Sequence, residues 1–278
     1  MAAHIARSRT NGIEVVMLQR PPVNAMDLAL LEELKELFAA LADDSSARAV
    51  VLTGQGPTFC AGLDVKVMPQ YGKAEQLRLL EVLNDTILAV YGCSLPVVGA
   101  INGHAIAGGL VLALCCDWRI IAAGLAEAQV SLAEVKVAIP YPVAAIEVVR
   151  SELSPHIARR LVLSGENLGL SEVLSGGVFD ESAPRGALMD TALAKAARYA
   201  ELPRAAFATI KRQLKEPTLS AIVSALHEGR EPRANTGSRR RPLPPPNART
   251  TGRSGFFLPS PEASELDSVD EACGRRTD

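Results

Sequence analysis

The chain has almost no excess of either charge, few aromatic side chains and no long uninterrupted apolar run. Its 278 residues carry 29 Lys and Arg against 31 Asp and Glu, with a pI near 6.1, so nothing global directs it to nucleic acid or an anionic membrane. Aromatics make up only 4% of the chain. Gly, Pro or charge breaks every apolar run well short of the roughly 18 residues that a membrane span needs, so no span is expected. The opening residues carry Arg but lack the apolar segment of a secretory signal. A cytoplasmic protein is the expectation.

Metal and thiol chemistry are also thinly provided for. The five cysteines, Cys60, Cys93, Cys115, Cys116 and Cys273, are odd in number and form no C-x-x-C pair. Reduced core thiols are expected, with neither a disulfide framework nor a zinc site. His4, His104, His156 and His227 are scattered without ligand spacing, so no metal site and no Ser-His-Asp arrangement rests on them. The G-x-G-x-x-G spacing of a dinucleotide site is absent around Gly108-Gly109, and no Gly-Lys-Ser/Thr follows to make a phosphate loop.

What is present is an aliphatic core in alternating elements. Apolar residues reach 48%, enough for one large domain plus an appendage. Residues 13–18 alternate as a first strand, and Asp27 is placed to cap the helix that follows. There Leu30, Leu31, Leu34, Leu37, Phe38 and Leu41 fall at helical spacing on one face. Residues 48–53 read as a buried strand, 59–64 as a loop and 74–90 as a helix. Further strands are expected at 117–122, 128–130 and 178–180. Helices are expected at 142–153, 156–163, 171–175, 186–201, 204–215 and 219–228. The alternation implies an α/β fold with crossover connections. Seven of the eighteen prolines lie at 232–278, beside Arg239-Arg240-Arg241, and no hydrophobic period survives there. That composition predicts a disordered Pro/Arg-rich tail.

The most informative stretch is 95–121. Pro96-Val97-Val98-Gly99-Ala100-Ile101 reads as a buried strand and Asn102-Gly103-His104 as a turn. Gly108-Gly109 then opens a helix that is apolar all round. Free N–H groups at a helix start suit negative charge, either a bound anion or an oxygen that acquires charge during a reaction. Without a phosphate motif, the pattern points to a thioester or ester oxygen.

Three segments together resemble the crotonase family, the enoyl-CoA hydratase/isomerase superfamily. They are Phe59-Cys60-Ala61-Gly62-Leu63-Asp64-Val65-Lys66, the run from Asn102 through Gly108-Gly109 to Cys116-Asp117, and Ser131-Leu132-Ala133-Glu134-Val135-Lys136 with Ile139-Pro140. Weaker matches include Arg20-Pro21-Pro22-Val23-Asn24-Ala25-Met26 and Leu163-Ser164-Gly165. The resemblance implies a crotonase-like ββα spiral over residues 1–185, a C-terminal helical region over 186–229 and the tail over 230–278. It also implies a homotrimer or homohexamer.

The family's shared device is a pair of main-chain donors for the thioester oxygen of an acyl-CoA. By motif match these are Leu63 and Gly108. Hydratases of the family use two glutamates; here the first position holds Val111 and the second Glu134. The resemblance therefore implies an acyl-CoA enzyme, foremost a Δ3,Δ2-enoyl-CoA isomerase in fatty-acid breakdown with Glu134 shuttling a proton. An enoyl-CoA hydratase and a catalytically silent acyl-CoA-binding homologue stand as alternatives. Met26, Ala61, Asp64, Val65, Lys66 and Tyr141 are the implied substrate contacts. No cofactor is expected, because coenzyme A enters as part of the substrate.

Overall fold

A computed structural model describes residues 4–124 and 128–232. The tail from residue 233 on, with its Arg run and Cys273, lies outside them. Asn11 and Gly12, both at positive φ, close a hairpin between β1 (Ile5–Thr10) and β2 (Ile13–Leu18). Asn-Gly is the two-residue turn whose backbone hand matches strand twist. A strand thus precedes the one expected to be first. It is an edge strand with mostly exposed side chains, so it carries no hydrophobic alternation to read.

Seven strands follow: β3 (Ala49–Gly54), β4 (Thr58–Cys60), β5 (Val97–Ile101), β6 (His104–Ile106), β7 (Trp118–Ala123), β8 (Val130–Ser131) and β9 (Glu181–Pro184). A six-stranded sheet runs β1-β2-β3-β5-β7-β9 and is parallel from β2 onward. A second, parallel sheet runs β4-β6-β8. The helices are α1 (Leu28–Asp43), α2 (Lys73–Tyr91), α3 (Gly108–Leu114), α4 (Val143–Glu152), α5 (Pro155–Ser164), α6 (Leu170–Ser175), α7 (Leu188–Ala200) and α8 (Arg204–His227). A large-sheet strand, a small-sheet strand and a helix recur in that order as β3-β4-α2, β5-β6-α3 and β7-β8-α4. This repeat is a ββα spiral.

The central strands β3, β5 and β7 are buried on both faces, so they read as near-continuous apolar runs. Successive side chains divide between two cores, as the two-residue period of a strand requires. Val16, Leu18, Val50, Leu52 and Val97 face a core shared with α1 to α4 and the small sheet. Ile13, Ala49, Val51, Ala100 and Ala122 face α7, which meets them with Leu188, Ala192 and Ala196. Small residues on both sides of that second layer let the helix approach closely. Asp27 caps α1 by accepting from Leu30 N, and the six expected apolar residues of that helix are buried.

Three expectations are corrected. Phe59 and Cys60, expected to begin a loop, instead end the strand β4, which pairs with β6. Val178 and Phe179 are not a strand: their amides turn back to Val173 O, and the strand begins at Glu181. The two helices expected at 204–215 and 219–228 are one, running through Pro217. Proline removes a helix hydrogen bond and normally breaks or kinks the helix. Here tertiary contacts hold both halves, with Lys211 and Lys215 buried on one side of Pro217 and Ile222 and Ala225 on the other. Among the described residues no helix is long and apolar enough to cross a membrane.

Candidate active site

The three strands of the small sheet run in parallel, so their C-terminal ends lie along one edge. From β4 the chain continues as Ala61-Gly62-Leu63, from β6 as Ala107-Gly108, and from β8 as Leu132-Ala133-Glu134. Cys60 is level with Ala105, and Ile106 with Ser131. Chain length alone keeps Glu134 within roughly 10 Å of Ser131. The C-terminal edge of a parallel sheet is where α/β proteins commonly place their chemistry.

The first two strand ends pack tightly on one another. Gly62 has φ +81°, and a Cβ there would lie 3.0 Å from Gly108 N and 3.0 Å from the Ala107 Cβ. A Cβ on Gly108 would meet Met26 Cε at 2.8 Å and lie 3.9 Å from Leu63 N. A larger residue at Gly62 would press on the Gly108 amide, whereas one at Gly108 would first meet the flexible end of Met26. Ala107 turns the chain at φ 53° and ψ −129°, a conformation that L-residues rarely adopt. Its amide is held by Ser131 O at 2.8 Å. Among the described residues, neither Leu63 N nor Gly108 N donates to a protein acceptor, while the flanking Met26 and Asp64 amides are both engaged. Two adjacent, fixed and free N–H groups can hold an oxygen that becomes negative. Helix α3 is only seven residues long, so these bare donors matter more than its dipole.

Glu134 opens a single 3-10 turn, Glu134–Val137, and is 9% exposed. Burial pushes its pKa above the ordinary carboxylate value, while the nearby Tyr141 hydroxyl and its own amide oppose the rise. The opposition is incomplete: Glu134 Oε2 and Tyr141 Oη are both buried without a hydrogen-bond partner of ordinary geometry. Burial and the carboxylate also raise the tyrosine's pKa. A desolvated carboxylate with a raised pKa suits a proton shuttle. Val111, one α-helical turn after Gly108, is buried in the main core and offers no second carboxylate.

The remaining candidate contacts divide. Met26 is buried against Gly108 and clamps the loop, its N donating to Gly62 O at 2.7 Å and its O accepting from Asp64 N at 2.8 Å. Ala61 is partly buried beside it, its amide held by Val23 O. Asp64 is tied to the Arg20 guanidinium at 2.8 Å and accepts from the Lys66 and Val67 amides. Burial works against its charge, but Arg20 and those amides outweigh it and hold its pKa below the usual range. Val65 is 60% exposed and Lys66 is also exposed, so both stand at the rim and not in the cluster.

Two supports escaped the sequence reading. The fully buried Asn24 donates to Gln55 O, Thr58 O and Phe59 O, and Arg20 bridges Asp27 and Asp64. Together they brace the loop that carries Leu63. An Asn shortly after paired prolines was the signal available in sequence, while its burial and its positive φ show only in the structure.

Cavities of about 450 Å³ and about 400 Å³ lie along α8, and neither is lined by Leu63, Gly108 or Glu134. Among the described residues no group of three His, Cys, Asp or Glu is disposed to hold a metal ion.

A ββα spiral with paired amides and a buried carboxylate at its small-sheet edge defines a class of enzymes that act on acyl-CoA thioesters. Comparison with known proteins makes the assignment specific. The family model "Enoyl-CoA hydratase/isomerase" matches residues 8–238, and the chain belongs to that family. Human mitochondrial enoyl-CoA delta isomerase 1 is 30% identical over 77% of this chain and 70% of its own length. A probable enoyl-CoA hydratase of Mycobacterium leprae is 34% identical over 73% of this chain and 71% of its own length. The crystal structure of human mitochondrial Δ3-Δ2-enoyl-CoA isomerase superposes with a TM-score of 0.77 at 28% identity, covering 81% of this chain and 88% of that one.

Proposed function

We propose that the protein is a Δ3,Δ2-enoyl-CoA isomerase. The Glu134 carboxylate removes a proton from C2 of a 3-enoyl-CoA, and the electron pair moves into the thioester carbonyl. The resulting oxyanion is held by Leu63 N and Gly108 N. Protonated Glu134 then returns the proton at C4, the double bond settles between C2 and C3, and the glutamate is ionised again. Met26, Ala61 and Tyr141 would bound the acyl group, with Asp64, Val65 and Lys66 towards the CoA moiety. No cofactor enters the scheme, since coenzyme A is part of the substrate. A homotrimer or homohexamer belongs to the same reading.

One observation carries it: two free amides stand at the strand ends with one desolvated carboxylate, and the turn above Gly108 offers valine in place of a second. A single base can move a proton along the substrate but has no partner to fix and activate a water. The likeness to the human isomerase supports the choice, and the likeness to the M. leprae hydratase supports hydration as the alternative. The test offers 3-enoyl-CoA and crotonyl-CoA to the native chain and to Glu134→Gln, with products identified by mass and absorbance. Isomerisation by the native chain, its loss in the variant and an inert crotonyl-CoA are expected. Hydration of crotonyl-CoA at a comparable rate, or full activity in the variant, would overturn the assignment.

A further inference from the structure

Tyr141 stands between two prolines, in the segment that folds back over Glu134. Proline fixes its own φ and confines the residue before it to extended backbone, so Pro140 and Pro142 leave Tyr141 little freedom. Pro142 itself holds φ −56° and ψ 151° at the start of α4. Ala138, at φ 54°, makes the turn, and Ile139 N donates to Glu134 O at 3.1 Å. The rigid segment therefore carries the phenol to the carboxylate. Tyr141 Oη and Glu134 Oε2 are each sealed from solvent without a partner of ordinary hydrogen-bond geometry, yet the phenol lies near enough to the carboxylate to lower its pKa. Buried polar atoms left in that state are uncommon and costly. Hydrogen bonds that serve catalysis are often long or misaligned in a free enzyme and close in the substrate complex.

We propose that Tyr141 is a positioning residue for Glu134: its hydroxyl donates to Oε2 when the carboxylate is ionised and leaves Oε1 to carry the proton from C2 to C4. The inference rests on the reading of Glu134 as the base. Tyr141 is the titratable side chain that acts on Glu134 among the described residues, and no Lys, Arg, His or second carboxylate adds to it. Lys136, two residues on, runs instead across Gly165. Pro140 and Pro142 restrict the backbone that carries the phenol.

The test is Tyr141→Phe, which keeps the ring and its packing, assayed by conversion of 3-enoyl-CoA across pH. Loss of the donor leaves only Glu134's own amide to oppose burial, so the acid limb of kcat/KM moves up by about one pH unit. The value of kcat falls about tenfold, and KM stays within about twofold. Placing 3-fluorotyrosine at 141 strengthens the donor and moves the limb the other way, which a tyrosine needed only for packing would not do. An acid limb that stays in place in both variants overturns the proposal. Full activity in Glu134→Gln would instead sink the base assignment itself, so the two failures are distinct.

Discussion

Replacing Asp117 by asparagine leaves two buried ammonium groups facing one another without a counter-charge. Asp117 follows α3 and receives Lys211 Nζ at 2.6 Å on Oδ2 and Lys215 Nζ at 2.8 Å on Oδ1. Both lysine side chains are only 6% exposed and the aspartate 12%, so solvent screens the cluster weakly. The lysines also donate to Leu95 O and Cys115 O, and the aspartate accepts from Val97 N. Removing one member of a buried ion cluster costs about 3–5 kcal/mol, a large part of the 5–15 kcal/mol typical of a folded domain. Asp117→Asn should therefore lower the urea midpoint and Tm sharply. Asp117→Leu combined with Lys211→Met and Lys215→Met, which removes every charge, should recover much of the loss.

The pH dependence follows from the same site. Burial disfavours the Asp117 carboxylate, but the two lysines more than compensate and hold its pKa below the ordinary value. A depressed folded-state pKa contributes stability that is present above the unfolded value, about 3.9, and is lost as pH falls through the folded one. The native chain should thus lose stability below about pH 4 more steeply than Asp117→Asn does. A loss of under about 1 kcal/mol in Asp117→Asn, with equal acid sensitivity in both proteins, would refute the argument.

Gly62→Ala should fold but lose turnover by about 100- to 1,000-fold, because its Cβ would press on Gly108 N and spread the two donors. Circular dichroism beside steady-state rates would check this. With Glu134 raised by burial, the rate should climb with pH through a limb above the ordinary carboxylate value of about 4.3; a pH profile of kcat/KM measures it. In a Cys273→Ser background, Cys60, Cys93, Cys115 and Cys116 should resist a thiol reagent until the chain unfolds. All four are buried, and burial pushes Cys60 and Cys116 up to about 12. Fast labelling under native conditions would contradict that placement.

The fold was legible in sequence wherever burial imposed a period. The face of α1 and the doubly buried strands β3 and β5 could be read because every neighbour on the buried side must be apolar. It was illegible where structure depends on pairing with distant chain. Strand β4 is three residues long and β8 two, too short to show alternation, and β1 lies exposed at an edge. Pro217 misled because local backbone cost was weighed without the lysines that anchor the helix around it. In the candidate site, Glu134 and the glycines stood out by motif. The bracing by Asn24 and Arg20 did not, since it joins groups 31 to 44 residues apart: Asn24 to Gln55 and Arg20 to Asp64. The orphaned Tyr141 hydroxyl likewise needed three dimensions to be seen.

The sealed side of Glu134 bears on isotopes. An acid with one oxygen shut away, whose titratable neighbour among the described residues is a tyrosine kept protonated by burial, exchanges its cargo slowly. Deuterium abstracted from one carbon of the acyl chain would then reappear largely on another carbon of the same molecule, even in ordinary water. The label would record how well the pocket is sheltered.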